Sequence, residues 1–347
     1  MIRSELASNQ TPGLVCAHNH FYSALARGMP APNKTPTGFH EILDLVWWRL
    51  DRALDLETIY HSARLAALTA IEAGTTAVID HHESPNAIEG SLSVIADACA
   101  EVGLRVNCAY GVTDRHGPEG AAAGLVENDR FLTAGGNGMV GLHAAFTCEP
   151  DTLAAATELA HKHGVGVHVH VAEGADDTWQ SLSEHTAQDW LIVHGVHLPD
   201  DHGLSGTVVH NPRSNMNNGV GYARPTRFEN VIALGTDGIG SDMLDEFRLA
   251  FLKARECNVA STPDTAWEWL ANGWKLMPQA LSDRVTWNYH TIDPWHLAYT
   301  TNVHPEMVEV DGRVVWQNGV STQVDSEEVR AKAAEAAAKL HKRLEEM

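Results

Sequence analysis

The chain has 347 residues, of which 44% are apolar, 7% aromatic and 20% charged; this is a globular composition and excludes a chain disordered from end to end. Asp and Glu number 45 against 24 Lys and Arg, a net charge of −21 that repels phosphate backbones and argues against nucleic acid as the main partner. No run of about 18 apolar residues occurs, so no membrane span is expected, and the opening MIRSELASNQ lacks an apolar signal core, so a cytoplasmic location is expected.

Short apolar runs rich in β-branched residues alternate with longer helical stretches. The strand candidates in chain order are 14–17, 75–80, 104–110, 139–143, 165–171, 191–194, 207–210 and 231–234, and helical patterns are read at 56–73, 91–102, 151–163 and 177–189. Repeated strand–helix alternation predicts a parallel sheet, and eight repeats predict a closed (β/α)8 barrel of the TIM type. A doubly wound open sheet is the competing topology, but no GxGxxG follows the first strand. Beyond Asp237 the pattern changes. Residues 244–256 and 265–274 read as helices, 307–316 as a hairpin turning at Asp311-Gly312, and 326–346 as a surface helix. The domain reading is a barrel over 12–296, a small β domain from 1–11 plus 297–322, and a C-terminal helix over 323–347.

The five cysteines (Cys16, Cys99, Cys108, Cys148, Cys257) are scattered, odd in number and without a CxxC, so they read as reduced residues. The 21 histidines are the unusual feature. His18-Asn19-His20 follows the first strand, where residues two apart point the same way and can reach one ion; taken alone, the pair equally describes two loop histidines. In Val167-His168-Val169-His170-Val171 the valines form one face and the histidines the other. Inside a barrel, two buried imidazoles need partners, and a metal is one. His170 lies nearer the C-terminal end, where barrel active sites form, and is preferred over His168, which reads as a packed interior residue. Glu173 follows beyond the strand end. His194 closes the sixth strand and Asp237 the eighth, so these groups would share one rim. Neutral imidazoles with a carboxylate suit Zn²⁺, with Fe²⁺ or Mn²⁺ as alternatives.

PGLVCAHNH (12–20), HVHVAE (168–173), VHGVHL (193–198) and GTDG (235–238) together resemble the amidohydrolase superfamily, in its branch of cytosine/guanine-type deaminases and triazine hydrolases. HNHFYSALARGM (18–29), WWRLDRAL (47–54) and IDHHESP (79–85) are similar to the SsnA subgroup of aminohydrolases within that branch. The resemblance runs from Pro12 to about Glu256. It implies His18, His20, His170 and Asp237 as ligands of one divalent metal, because the bridging lysine of binuclear relatives is replaced by His143. It implies that Asp237 takes a proton from the hydrolytic water, that His194 supports the developing charge, and that Glu173 shuttles the proton. His143 and Tyr22 are implied substrate contacts. Only 17 residues precede His18 and the usual segment before the closing hairpin is not recognisable, with 282–289 as its remnant, so the small β-sandwich is expected to be truncated.

The activity expected is hydrolytic deamination of an amino-substituted N-heterocycle by a metal-activated hydroxide, releasing ammonia. The same site could instead expel chloride or an alkylamine, or open a cyclic amide; a reading from another class is a metal-binding barrel without turnover. Trp47 and Trp48 read either as a stacking surface or as helix core. His81 and His82, at the end of the second strand, read as pocket-shaping or structural, and Arg213 or Asn215 could line the rim. Relatives suggest a homodimer by analogy only.

Overall fold

The computed structural model describes residues 6–347; the part of the predicted small domain at residues 1–5 lies outside them. The strands are β1 (Gln10–Thr11), β2 (Leu14–Asn19), β3 (Thr75–His82), β4 (Arg105–Val112), β5 (Val140–Ala144), β6 (Val167–Val171), β7 (Leu191–His194), β8 (Thr207–His210), β9 (Ile232–Leu234), β10 (Arg284–Trp287), β11 (Pro305–Val310), β12 (Arg313–Gln317) and β13 (Val320–Ser321). Strands β2 to β9 form one parallel sheet in sequence order. Its ends meet where a bridge pairs Asn19 with Asp237. The amides of Thr236 and Asp237 donate to the His18 carbonyl at 3.0 and 3.1 Å, and the His20 amide donates to the Asp237 carbonyl at 3.3 Å. The sheet is therefore the expected eight-stranded barrel, and all eight strand candidates are present within a few residues of the expected limits.

Alternation along the strands separates two cores. Leu14, Cys16, Val78, Val167, Val169 and Val171 face outward into a large cluster with the helices. Val15, Ala17, Ala77, Ile79, Leu191, Val193, Val209 and Ala233 fill the interior, where Met277 and Ala280 close one end. Small residues dominate that interior, as a narrow barrel requires. The helix Leu56–Glu72 begins with a capping box between Asp55 and Thr58, which satisfies amides that the first turn would leave unpaired.

A second, antiparallel sheet runs β1–β10–β11–β12–β13. Strand β10 pairs with Gln10–Thr11 on one side and with β11 on the other, so Arg284–Trp287 belongs to this sheet although the sequence reading drew the barrel through residue 296. The β11–β12 hairpin turns at Asp311 (φ 53°) and Gly312 (φ 71°), two left-handed residues that match the twist of a hairpin. Arg105, at the start of β4, ties the sheet to the barrel through Asp283 at 2.8 Å and Asp311 at 2.6 Å. The helix Ser326–Glu346 buries Val329, Ala333, Ala336, Leu340 and Leu344 in contact with Leu56–Glu72. Each such leucine contributes roughly 1.5–3 kcal/mol, so one side of this helix is core rather than surface.

One expected helix is missing. Between β6 and β7 there is only a 3-10 turn, Gln180–Glu184, with Leu182 as its one buried residue. The stretch is rich in Asp, Ser and Thr, whose side chains compete for backbone hydrogen bonds, and it has no apolar stripe to anchor a helix.

Candidate metal centre and pocket

Four side chains from three parts of the rim converge. His18 and His20 come from the end of β2, His170 from β6 and Asp237 from just beyond β9, and their ligand atoms lie within 4.8 Å of one another. His20 Nε2 is 2.9 Å from Asp237 Oδ1 and His18 Nε2 is 3.4 Å from it; His170 Nε2 is 3.3 Å from His20 Nε2. Ligands placed tetrahedrally about 2.0–2.1 Å from a zinc ion stand about 3.3 Å apart, so the spacing fits.

The outer nitrogens fix the tautomers. His20 Nδ1 donates to the His81 carbonyl at 2.6 Å, and His170 Nδ1 donates to the His143 carbonyl at 2.5 Å. His18 Nδ1 pairs with His168 Nε2 at 2.8 Å. With protons held at Nδ1, each ring turns an Nε2 lone pair toward the common centre, which is how second partners orient metal ligands. His18 Nε2 is buried and has no hydrogen-bond partner, and a cation would satisfy it. His168 is thus the interior histidine expected, and it positions His18.

A second group faces the same space. His194 Nε2 lies 3.3 Å from Glu173 Oε2 and 3.8 Å from Asp237 Oδ2, and it too is buried without a partner. Asn215 Oδ1 accepts from His194 Nδ1 at 2.8 Å, Asn218 donates to Glu173 at 3.2 Å, and Ser214 donates to Asp237 Oδ2 at 2.5 Å. These partners come from the NPRSNMNN segment after β8. The sequence singled out Asn215 there but not Ser214 or Asn218. Arg213 turns away to Glu246, 3.1 Å, and Asp245, 2.5 Å. Gly235 is required beside the centre, since a Cβ there would lie 2.4 Å from Asn211 Oδ1 and 2.8 Å from the His18 carbonyl.

Electrostatics divide the groups. Burial pushes the Asp237 carboxyl up, but the His18 and His20 rings beside it outweigh burial and hold it well below the usual carboxylate range. Burial lowers His20, yet pairing with Asp237 prevails and raises it to about 9; a cation at the centre would displace the Nε2 proton and free that lone pair. Burial lowers His18, His170 and His194, leaving neutral imidazoles of the kind metal binding needs. Burial, then the Asp237 carboxylate, push Glu173 well above its ordinary range, which favours its neutral form. Asp237 (φ 55°) and His194 (φ 72°) both adopt left-handed backbone, a conformation that costs about 1–3 kcal/mol for a residue with a side chain and gathers at functional sites.

The centre opens into a cavity of about 50 Å³ lined by Tyr22, Trp47, Trp48, His143, Phe39 and Phe146, among others. His143, Tyr22 and both tryptophans therefore line the pocket, and Trp47 also packs against the main core. His81 does not; it donates Nε2 to the Leu142 carbonyl at 3.1 Å and offers its own carbonyl to His20. The segment 27–53, between β2 and the helix Leu56–Glu72, covers the mouth, with a π-helical turn at Leu43–Trp47. Its tip is latched: His40 Nε2 is 2.8 Å from Asp177 Oδ1, the His40 ring stacks on Phe146 at 5.2 Å, and Phe39 occupies the space a side chain at Gly174 would need. Asp51 and Glu83 also line the cavity, with Arg115 paired to Glu83 and lying 4.2 Å over the Trp48 ring.

The profile of the amidohydrolase family matches residues 10–271. Among curated relatives, the 5-methylthioadenosine/S-adenosylhomocysteine deaminase of Shouchella clausii (strain KSM-K16) is 28% identical over 77% of this chain and 68% of the relative. The 5'-deoxyadenosine deaminase of Methanopyrus kandleri is 30% identical over 70% of this chain and 61% of the relative. The matched stretch thus spans about two thirds or less of these relatives' length. In overall fold, the chain superposes on an adenosine deaminase from Xanthomonas campestris with bound zinc at a TM-score of 0.78, with 19% identity, covering 95% of this chain and 85% of the other. It superposes on the atrazine chlorohydrolase TrzN of Arthrobacter aurescens TC1, complexed with zinc, at 0.80, with 17% identity, covering 94% and 88%.

Proposed function

The chain belongs to the amidohydrolase family, and on that premise we propose that it is a cytoplasmic, metal-dependent aminohydrolase that removes the exocyclic amino group of an adenosine-like N-heterocycle. The names of the relatives, deaminases of adenosine derivatives, support the substrate class. The observation that carries the reading is a four-ligand cluster with a buried carboxyl, Glu173, standing 3.3 Å from His194 beside it.

His18, His20, His170 and Asp237 would hold one divalent ion, zinc first. Such an ion supplies Lewis-acid activation, lowering the pKa of water from 15.7 to roughly 7. Asp237 accepts the proton of the attacking water, and Ser214, donating to Oδ2, keeps the carboxylate aimed. Glu173, fixed by Asn218, donates its proton to a ring nitrogen, so that electrons move off the carbon under attack. His194, held through Nδ1 by Asn215, presents a bare Nε2 that accepts a hydrogen bond from the attacking water. The proton taken by Asp237 passes to the amino group, the C–N bond breaks and ammonia leaves, while the remaining hydroxyl proton of the added oxygen returns to Glu173 as C=O forms in its place. Tyr22, Trp47 and Trp48 offer flat faces for the ring.

The test is zinc-loaded protein assayed for ammonia across adenosine, 5-methylthioadenosine, 5'-deoxyadenosine and amino-triazines. Ammonia from an adenosine derivative, lost on chelation and restored by zinc, is the expected result. Zinc bound at one equivalent with no ammonia from any substrate would sink the reading.

A further inference from the structure

The last turn of the helix Ser326–Glu346 stands apart from the metal cluster and the pocket lining, yet its polar groups reach the backbone at both roots of the covering segment. At the entry root, His341 Nε2 donates to the Leu25 carbonyl at 2.9 Å. Leu25 lies in the 3-10 turn Phe21–Ala26, which also carries Tyr22, a wall of the pocket. At the exit root, Arg343 Nη1 donates to the Ala53 carbonyl at 2.6 Å and Nη2 to Asp55 Oδ2 at 2.5 Å. Ala53 ends the helix Trp48–Ala53, and Trp48 at its start is another wall. From the cover itself, Arg49 donates to the Leu344 carbonyl and, at 3.4 Å, to the Pro30 carbonyl. Carbonyls of a last helical turn have no partner within the helix, so His341 and Arg343 supply donors that the two roots need. These bonds are additional to the packing: Leu340 and Leu344 are buried where the helix meets Leu56–Glu72.

We propose that His341 and Arg343 are positioning residues for the substrate: the turn His341–Leu344 pins both roots of the covering segment, and so sets the spacing between Tyr22 and the Trp47–Trp48 pair that a flat ring must fit. The proposal rests on the aminohydrolase reading for the nature of that ring. His40 secures the tip of the segment; the helix secures its roots. A cover already anchored at both roots has less freedom to lose when a ring is bound beneath it, so binding costs less. A guanidinium that holds a carbonyl and a carboxylate at once fixes direction as well as distance. Loosening either root leaves the strand-end groups where they are, so the effect falls on KM rather than on kcat.

The experiment compares the zinc-loaded parent with Arg343→Met, which keeps the apolar stem but no donor, with His341→Ala, and with His341→Gln, whose amide still offers a donor to the Leu25 carbonyl. Amide hydrogen exchange, zinc content and melting temperature are read for each, with kcat and KM for the adenosine derivative that releases ammonia fastest. Arg343→Met and His341→Ala are expected to speed exchange across 21–26 and 43–53 by at least about tenfold, while β6 and β7 keep the parent's rates. KM should rise about five- to twentyfold, with kcat within about twofold and zinc at one equivalent. His341→Gln should bring KM back to within about threefold of the parent. Should Arg343→Met lose its fold, His341→Ala, which removes a single bond, decides. Unchanged exchange over the two roots, faster exchange with unchanged KM, or a fall in kcat together with zinc loss would overturn the proposal. Where no substrate releases ammonia, the calorimetric dissociation constant of adenosine replaces KM: a rise of the same size leaves the anchoring role standing while the deaminase reading falls, and no rise sinks both.

Discussion

At the barrel rim, each side chain of the metal centre stands at or just beyond the end of a strand, and its direction follows from strand register. The covering segment 27–53 has no such frame: it is held over the pocket by His40 on Asp177, by aromatic stacking on Phe146 and by Trp48 under Arg115. The first region is framed by seven parallel strand ladders and the closing Asn19–Asp237 bridge; the second is held by a few contacts that can be broken singly. Under the proposed function, chemistry stands on the strand-framed part and ring recognition on the part held by separable contacts.

Substitutions should separate the two regions by size of effect. Asp237→Asn or His170→Ala, on the rim, should lower bound zinc below one equivalent and cut kcat/KM by at least about a thousandfold, read by elemental analysis beside the ammonia assay. Glu173→Gln should keep zinc and lose roughly 10²–10⁴-fold in kcat; loss of zinc would instead make Glu173 a ligand. Asn215→Ala, which frees the His194 ring, should cost roughly 10–100-fold, with zinc content unchanged. On the covering segment, His40→Ala should raise KM by only a few-fold while leaving zinc and melting temperature as they are. A drop of a thousandfold there would erase the contrast between the regions.

The smallest expected effect is on stability against pH. Burial, then His20 and His194 respectively, lower His82 and His210 from 6.5 to about 3. The unfolded chain takes up those protons near pH 6.5 and the folded chain only near pH 3, so stability is complete above the first value and declines as pH falls between the two. Denaturant unfolding of His210→Asn from pH 7 to 4 should show a shallower decline than the parent; an unchanged slope would show that His210 does not contribute.

Much of the rim was legible in the sequence because its signals are local. Val167–Val171 shows its two faces by alternation alone, and His18, His20, His194 and Asp237 announce themselves as polar groups at the ends of apolar runs. What was not legible depends on distant partners. Nothing near Asp51 in WWRLDRAL says that Arg115 and Glu83 will sit beside it, and Ser214 and Asn218 become meaningful only when β8 and β9 bring them to Asp237 and Glu173. The helix expected over 177–189 failed for a local reason that was present but outweighed, the density of Asp, Ser and Thr. The domain boundary at 296 took in Arg284–Trp287, which pairs with the small sheet, because a four-residue strand alternating exposed and buried residues carries no record of its partner.

The left-handed backbone at His194 and Asp237 bears on how such a chain can evolve. Under pressure for heat resistance alone, glycine at either position would relax the local twist and delete the chemistry in the same step. A thermostable descendant that still turns over substrate must therefore have hardened itself elsewhere, in helices and turns remote from the mouth of the barrel.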